Sequence, residues 1–247
     1  MLKTYDRDGV TVVELDHGPV NALDLELLRA LTATVERADS PVVLTGAGRI
    51  FSAGVDLRRI VEGADSYVAD FLTALARAFL AVFTHPRPTV AAINGHAIAG
   101  GCLFALCCDT RVMAAGKIGL TELAVGGRFP RSGLEIVRYA LGAASGRVVL
   151  RADTVDRDEA LRLGVIDEIT EPAVLLGRAV ALASQLGSYP AAVYAATKCD
   201  LQRPVLEAIN AGGDAAVTAA WSSPETRQLL TDQLAALAGK PTAQTSE

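Results

Sequence analysis

Short β-branched runs alternate with amphipathic segments through the first part of the chain, and this alternation restricts the fold more than any other feature. Residues 11–15 (TVVEL), 41–45 (PVVLT), 89–93 (TVAAI) and 111–114 (RVMA) are bounded by Gly, Pro or Asp and predict strands. Between the first two, residues 24–38 place Leu27, Leu28, Leu31 and Val35 on one helical face. Residues 65–83 do the same with Phe71, Leu75, Ala78, Phe79 and Val82. Strands alternating with helices indicate an α/β fold around a largely buried sheet.

After about Gly133 the pattern becomes almost purely helical. Helices are predicted over 133–141, 145–151, 157–163, 173–186, 191–208 and 224–238. Gly142 and Gly164 fall just past helix ends, where a left-handed cap favours glycine. Pro172 and Pro224 fall near starts, where a missing N–H costs nothing. The chain thus divides into an α/β core, residues 1–190, and a helical region, residues 191–247, whose last stretch KPTAQTSE is expected to fray. No tandem repeat is evident.

Composition narrows the partners. A chain of 247 residues buries roughly three quarters of its unfolded surface and needs no disulfide or metal staple. Hydrophobic residues make up 51% and aromatics only 5%, so Ala, Leu and Val must build the core. With 23 Lys and Arg against 28 Asp and Glu, and no basic block, neither nucleic acid nor an anionic membrane is an expected partner. The four cysteines form no CxxC pair and only three histidines occur, so no metal site is expected. Cys107 and Cys108, in an apolar stretch, read as buried free thiols. The opening MLKTYDRDGV has neither a basic nor an apolar leader region, which makes the cytoplasm the expected location.

Two glycine-containing turns carry the chemistry. One is FSAGVDL at 51–57; the other is NGHAIAGGCL at 94–103, which opens an apolar helix over 102–107. Small residues let a ligand approach the main chain, and first-turn N–H groups have no internal partner, so such turns bind developing negative charge. Neither spacing fits a P-loop or a GxGxxG turn, which disfavours nucleotide phosphates by those routes. Taken singly, each turn is more often plain loop geometry.

Together with NAL at 21–23, and with LRLGVIDEI at 161–169, these motifs in this order resemble the enoyl-CoA hydratase/isomerase (crotonase) family from about Val10 through Asp167. The AGGCL…GLTE pattern looks like the Δ3,Δ2-enoyl-CoA isomerase branch. The resemblance implies a ClpP/crotonase spiral of ββα units with a C-terminal helical trimerisation region. It implies an acyl-CoA thioester substrate, no separate cofactor, and a homotrimer or dimer of trimers. Val55 and Gly100 match the positions whose N–H groups form the oxyanion hole. The backbone of Ala53, Asp56 and Leu57 is expected along coenzyme A, although the Asp56 side chain reads as a helix cap. Leu103 and Phe129 are expected in the acyl pocket.

Hydratases of the family carry two glutamates. At the first position this chain has Leu103, which moves no proton; the second survives as Glu122. Where hydratases have a PGAGG-like run, residues 129–133 read FPRSG. Both departures disfavour water addition and leave one carboxylate, enough to carry a proton from C2 to C4 of a 3-enoyl-CoA. A lone glutamate is by default a solvated surface residue, but Glu122 follows the apolar Ile118, Gly119 and Leu120 and matches a family catalytic position. Asp109 and Glu135 read as structural or surface carboxylates, His96 as packing or surface, and Arg128 and Arg131 as solvent-facing or as selectors of an acyl chain with a polar end. Residues 228–237 hold no cation for the coenzyme phosphates, which leaves Arg58, Arg59 or a neighbouring subunit. The alternatives are a hydratase or other lyase using Glu122 alone, and a non-catalytic acyl-CoA binder.

Overall fold

The computed structural model describes residues 1–238, so the KPTAQTSE stretch lies outside the described residues. Among the described residues, nine strands form two sheets. The larger contains β1 (Leu2–Arg7), β2 (Val10–Leu15), β3 (Val42–Gly46), β5 (Thr89–Ile93), β7 (Thr110–Met113) and β9 (Glu168–Ile169), in that spatial order. The smaller contains β4 (Ile50–Ser52), β6 (His96–Ile98) and β8 (Ile118–Gly119). Among the described strand pairs, only β1–β2 is antiparallel. Each turn of the chain adds one strand to the large sheet and the next to the small one: β3 then β4, β5 then β6, β7 then β8. That stepwise advance is the expected spiral.

The helices are α1 (Leu25–Arg37), α2 (Leu57–Glu62), α3 (Asp65–Phe83), α4 (Gly100–Cys107), α5 (Arg131–Leu141), α6 (Ser145–Arg151), α7 (Arg157–Arg162), α8 (Leu175–Gly187), α9 (Ala191–Asn210), α10 (Ala215–Trp221) and α11 (Pro224–Ala238). Every residue of β3 and β5 is buried, because helices cover both faces of the large sheet. On one side α8 lays Leu175, Ala179 and Val180 against Val12, Val43, Val90 and Val112. On the other, α1 and α3 pack together through Leu27, Leu31, Phe71 and Phe79. Truncating Leu31, fully buried there, to Ala would cost about 2–5 kcal/mol. Helix α3 is the one described helix long and apolar enough to cross a membrane, and it spends its apolar side on α1 and α4.

Asp24 and Asp56 cap α1 and α2 by accepting from the N–H groups of Leu27 (2.8 Å) and Arg59 (3.2 Å). Gly142 and Gly164 both have positive φ past helix ends, as expected. Helix α4 begins two residues earlier than the 102–107 expectation, and α5 at Arg131 rather than Gly133. Cys107 and Cys108 are buried free thiols.

The C-terminal helices do not stand apart from the core. Arg227 of α11 donates to the carbonyls of Ile60, Val61 and Gly63 and pairs with Asp65, fastening α11 over the α2–α3 junction. This cation sits one residue before the cation-free stretch noted in the sequence, and its guanidinium is spent on structure.

Candidate active site

The site forms where the strand–turn segments after β4 and β6 meet. Asn21, in a left-handed conformation, donates through Nδ2 to Ile50 O (2.9 Å), and its own carbonyl accepts from Ser52 Oγ (2.8 Å). The NAL segment is thereby tied to β4. Leu23 then bridges the next turn: its N–H donates to Gly54 O (2.8 Å) and its carbonyl accepts from Asp56 N–H (2.9 Å). A parallel bridge of this kind points the intervening Val55 N–H away from Leu23, and that N–H has no acceptor among the described residues.

The second donor comes from α4. Gly100 is its first residue, so its N–H has no intrahelical acceptor, and none is supplied among the described residues. The helix dipole adds positive potential there. Preceding it, Ala99 sits at φ 50°, ψ −118°, a conformation costly for any residue with a Cβ. The two turns touch: a methyl on Gly54 (φ 86°) would lie 2.7 Å from Ile98 O and 3.3 Å from Gly100 N. At Gly101 a methyl would lie 2.4 Å from Ser52 O, so small residues set how closely the turns approach. Val55 and Gly100 both line one cavity.

That cavity, about 260 Å³, is lined by Ala53, Val55, Leu57, Leu75, Ile98, Ala99, Gly100, Leu103, Thr121, Glu122, Val125, Pro130, Trp221 and Gln233. Glu122 is the one ionisable side chain in this lining. It opens a turn of 3₁₀ helix, Glu122–Val125, rather than continuing the strand-like segment the sequence suggested. It is 7% exposed, and its Oε2 has no hydrogen-bond partner among the described residues. Burial without a counter-charge pushes its carboxyl up from the ordinary 4.5 to about 7.

Other expected residues sort clearly. Ala53 and Leu57 line the cavity, and Leu103 does so while packing its Cδ atoms against Gly133. Phe129 is a correction: it is buried in the apolar core, and its neighbour Pro130 faces the cavity instead. The Asp56 side chain caps α2, as the sequence suggested, and is absent from the lining.

Arg131 donates through Nε to Ala208 O, its N–H bonds Asp214, and Arg128 is exposed; neither lines the cavity. His96 is exposed and accepts the Lys117 N–H at Nδ1. Glu135 pairs with Arg138 on α5. Arg59 is engaged by Glu26 (2.8 Å), whereas Arg58 is exposed without a partner among the described residues.

The sequence reading missed Trp221 and Gln233, which reach the cavity from helices expected to lie outside the catalytic core. Only the presence of a single tryptophan in the chain hinted at the first. A larger cleft, about 730 Å³, lies elsewhere between α4, α5 and α9 and includes Asp109 but neither Val55 nor Gly100.

The family model "Enoyl-CoA hydratase/isomerase" matches residues 6–226. The chain is 35% identical over 179 residues to mouse (Mus musculus) enoyl-CoA delta isomerase 1, mitochondrial, covering 68% of this chain and 62% of that protein. It is 39% identical over 168 residues to a putative enoyl-CoA hydratase of Thermus thermophilus, covering 66% of each. The matches thus span slightly less than two thirds of either relative's length. The fold superposes on the crystal structure of human mitochondrial delta3-delta2-enoyl-CoA isomerase with a TM-score of 0.91, at 26% identity, over 96% of this chain and 98% of that one. A spiral of strand–strand–helix turns and these matches lead to one conclusion: the chain belongs to the enoyl-CoA hydratase/isomerase family and lies close to its enoyl-CoA isomerases.

Proposed function

We propose that this protein converts 3-enoyl-CoA to trans-2-enoyl-CoA, with Glu122 as the only proton carrier. The observation that carries the reading is that Glu122 is the one ionisable group in the cavity lining, set among Leu75, Leu103, Val125 and Trp221. Glu122 takes a proton from C2, and the electron pair delocalises onto the thioester oxygen. The Val55 and Gly100 N–H groups stabilise that oxyanion, at about 3 kcal/mol per donor. The same carboxyl then protonates C4, leaving the double bond between C2 and C3. Carboxylate and thioester close the proton balance, so the scheme calls for no cofactor beyond the coenzyme A of the substrate. A carboxyl near 7 is a stronger base than an exposed one and still returns its proton readily.

A second reading, addition of water by Glu122 alone, is favoured by the hydratase name of the Thermus relative. Against it stands Leu103, which fills the space beside Gly133 with methyl groups and offers no second carboxylate. Isomerisation of 3-hexenoyl-CoA, measured beside hydration of crotonyl-CoA, separates the two. We expect the first without the second; hydration without isomerisation would overturn the proposal.

For assembly we propose a homotrimer or dimer of trimers. The support is the 730 Å³ cleft, whose walls include the exposed Tyr189, Val193 and Leu201 on and before α9. This assigns oligomerisation to part of residues 191–247, while α10 and α11 of the same region complete the cavity. For location we propose the cytoplasm, in line with a bacterial relative; the mouse relative is named mitochondrial.

A further inference from the structure

The cavity is graded from rim to base. Ala53 is exposed, Val55, Leu57 and Gln233 are half-buried, and Leu75, Leu103 and Trp221 are each no more than 3% exposed. The acyl tail of any thioester held at Val55 and Gly100 therefore runs toward the Leu75–Leu103–Trp221 end. The indole there is fixed on two sides. Its Nε1–H donates to Arg128 O (2.7 Å), and its six-membered ring lies so close to Gly127 that a Cβ on that glycine would sit 3.1 Å away. Gly127 in turn donates to Glu122 O (2.7 Å), so the wall and the carboxylate share one short segment.

Volume sets the scale. The cavity, about 260 Å³, lies below the roughly 300–1,000 Å³ of most small-molecule pockets. A space of that size suits a short or medium acyl chain better than a hexadecanoyl chain. The lining also offers no cation: Arg128 is exposed and Arg131 is bonded to Ala208. A chain ending in a carboxylate finds no partner.

We propose that Trp221 is the end wall of the acyl pocket and restricts the site to short and medium acyl groups with apolar ends. This rests on the isomerase reading for its substrate but not for its geometry. Trp221 is also the only tryptophan in the sequence, so its fluorescence reports directly on an acyl tail reaching the wall.

The test has two arms. In the first, wild-type protein is titrated with saturated butanoyl-, hexanoyl-, octanoyl-, dodecanoyl- and hexadecanoyl-CoA while tryptophan emission is followed, with no turnover required. Affinity is expected to rise to octanoyl-CoA and to fall at least tenfold by hexadecanoyl-CoA. Equal or increasing affinity through hexadecanoyl-CoA overturns the proposal.

In the second arm, kcat/KM is measured for 3-hexenoyl- and 3-dodecenoyl-CoA with wild type, Trp221→Leu and Trp221→Ala, the leucine variant guarding against loss of fold. The dodecenoyl-to-hexenoyl ratio should rise at least tenfold in a variant that folds. A purely structural tryptophan would lower both substrates alike and leave the ratio unchanged, which overturns the wall. A binding cut-off with no turnover of any 3-enoyl-CoA would sink the isomerase reading while leaving the wall in place. If neither variant folds, the titration of wild type decides alone.

Discussion

The two ends of α4 treat a carboxylate in opposite ways. Asp109, just past the C-terminal end, accepts from Thr89 N–H (2.9 Å), Thr89 Oγ1 (3.2 Å), Tyr194 Oη (3.0 Å) and Lys198 Nζ (2.8 Å). Glu122, in the cavity at the N-terminal end, has an unpartnered oxygen and no counter-charge. A carboxylate paired with a cation and held by several donors is a structural device. One buried without partners is costly to the fold, and the fold retains it beside two free N–H groups. The larger cleft surrounds the satisfied carboxylate and the smaller cavity the unsatisfied one, so size alone misdirects the search for chemistry.

The contrast breaks most readily by exchange of function. Glu122→Gln should lower isomerisation by roughly 10²–10⁴-fold, the range for loss of a general acid–base group, while acyl-CoA binding persists. Asp109→Asn should leave kcat within a few-fold. Comparable losses from both, in steady-state assays, would erase the distinction.

Stability should reverse the ranking. Asp109→Asn strips the counter-charge from Lys198, which is only 8% exposed, and should cost about 3 kcal/mol in urea unfolding.

Glu122 should act on stability with the opposite sign at neutral pH. Its folded value, about 7, exceeds the ordinary 4.5, so the folded protein binds more protons between those limits and its stability falls as pH rises through that window. The contribution is full below about 4.5 and lost above about 7. At about 1.4 kcal/mol per unit, Glu122→Gln should gain up to about 3 kcal/mol over wild type near pH 8 and little near pH 5. Unfolding curves at the two pH values check this, and an equal difference at both would contradict it.

The smallest effect belongs to Ala99. Ala99→Gly relieves a strained backbone and should raise stability by about 1 kcal/mol. The looser turn should cost a few-fold in kcat, because Gly100 N–H follows it directly. Thermal unfolding together with kcat shows whether strain and positioning are coupled.

Long, periodic elements were legible in the sequence: α3 lies at its expected bounds, and α1 within a residue at each end. The strands of the small sheet were not, because two or three residues cannot express a period of two. Strand β1 escaped notice because all but its first residue are exposed, which leaves LKTYDR without an alternating apolar face. In the site, Val55 and Gly100 were named from the resemblance of their two turns to the family's motifs. Glu122 was named from its place after an apolar segment together with its match to a family catalytic position. Phe129 was misplaced because one residue of register decides whether it or Pro130 faces the cavity. Trp221 went unassigned because its role depends on α10 and α11 folding back over the core, a long-range contact that no local pattern encodes.

Carbon-13 NMR titration of protein labelled at the glutamate carboxyls, with Glu122→Gln for assignment, tests the unpaired carboxylate most directly. One resonance should titrate near 7 and be missing from the variant. If every glutamate carboxyl titrates near the ordinary 4.5 or below, Glu122 is solvated or paired, and the single-carboxylate site is contradicted.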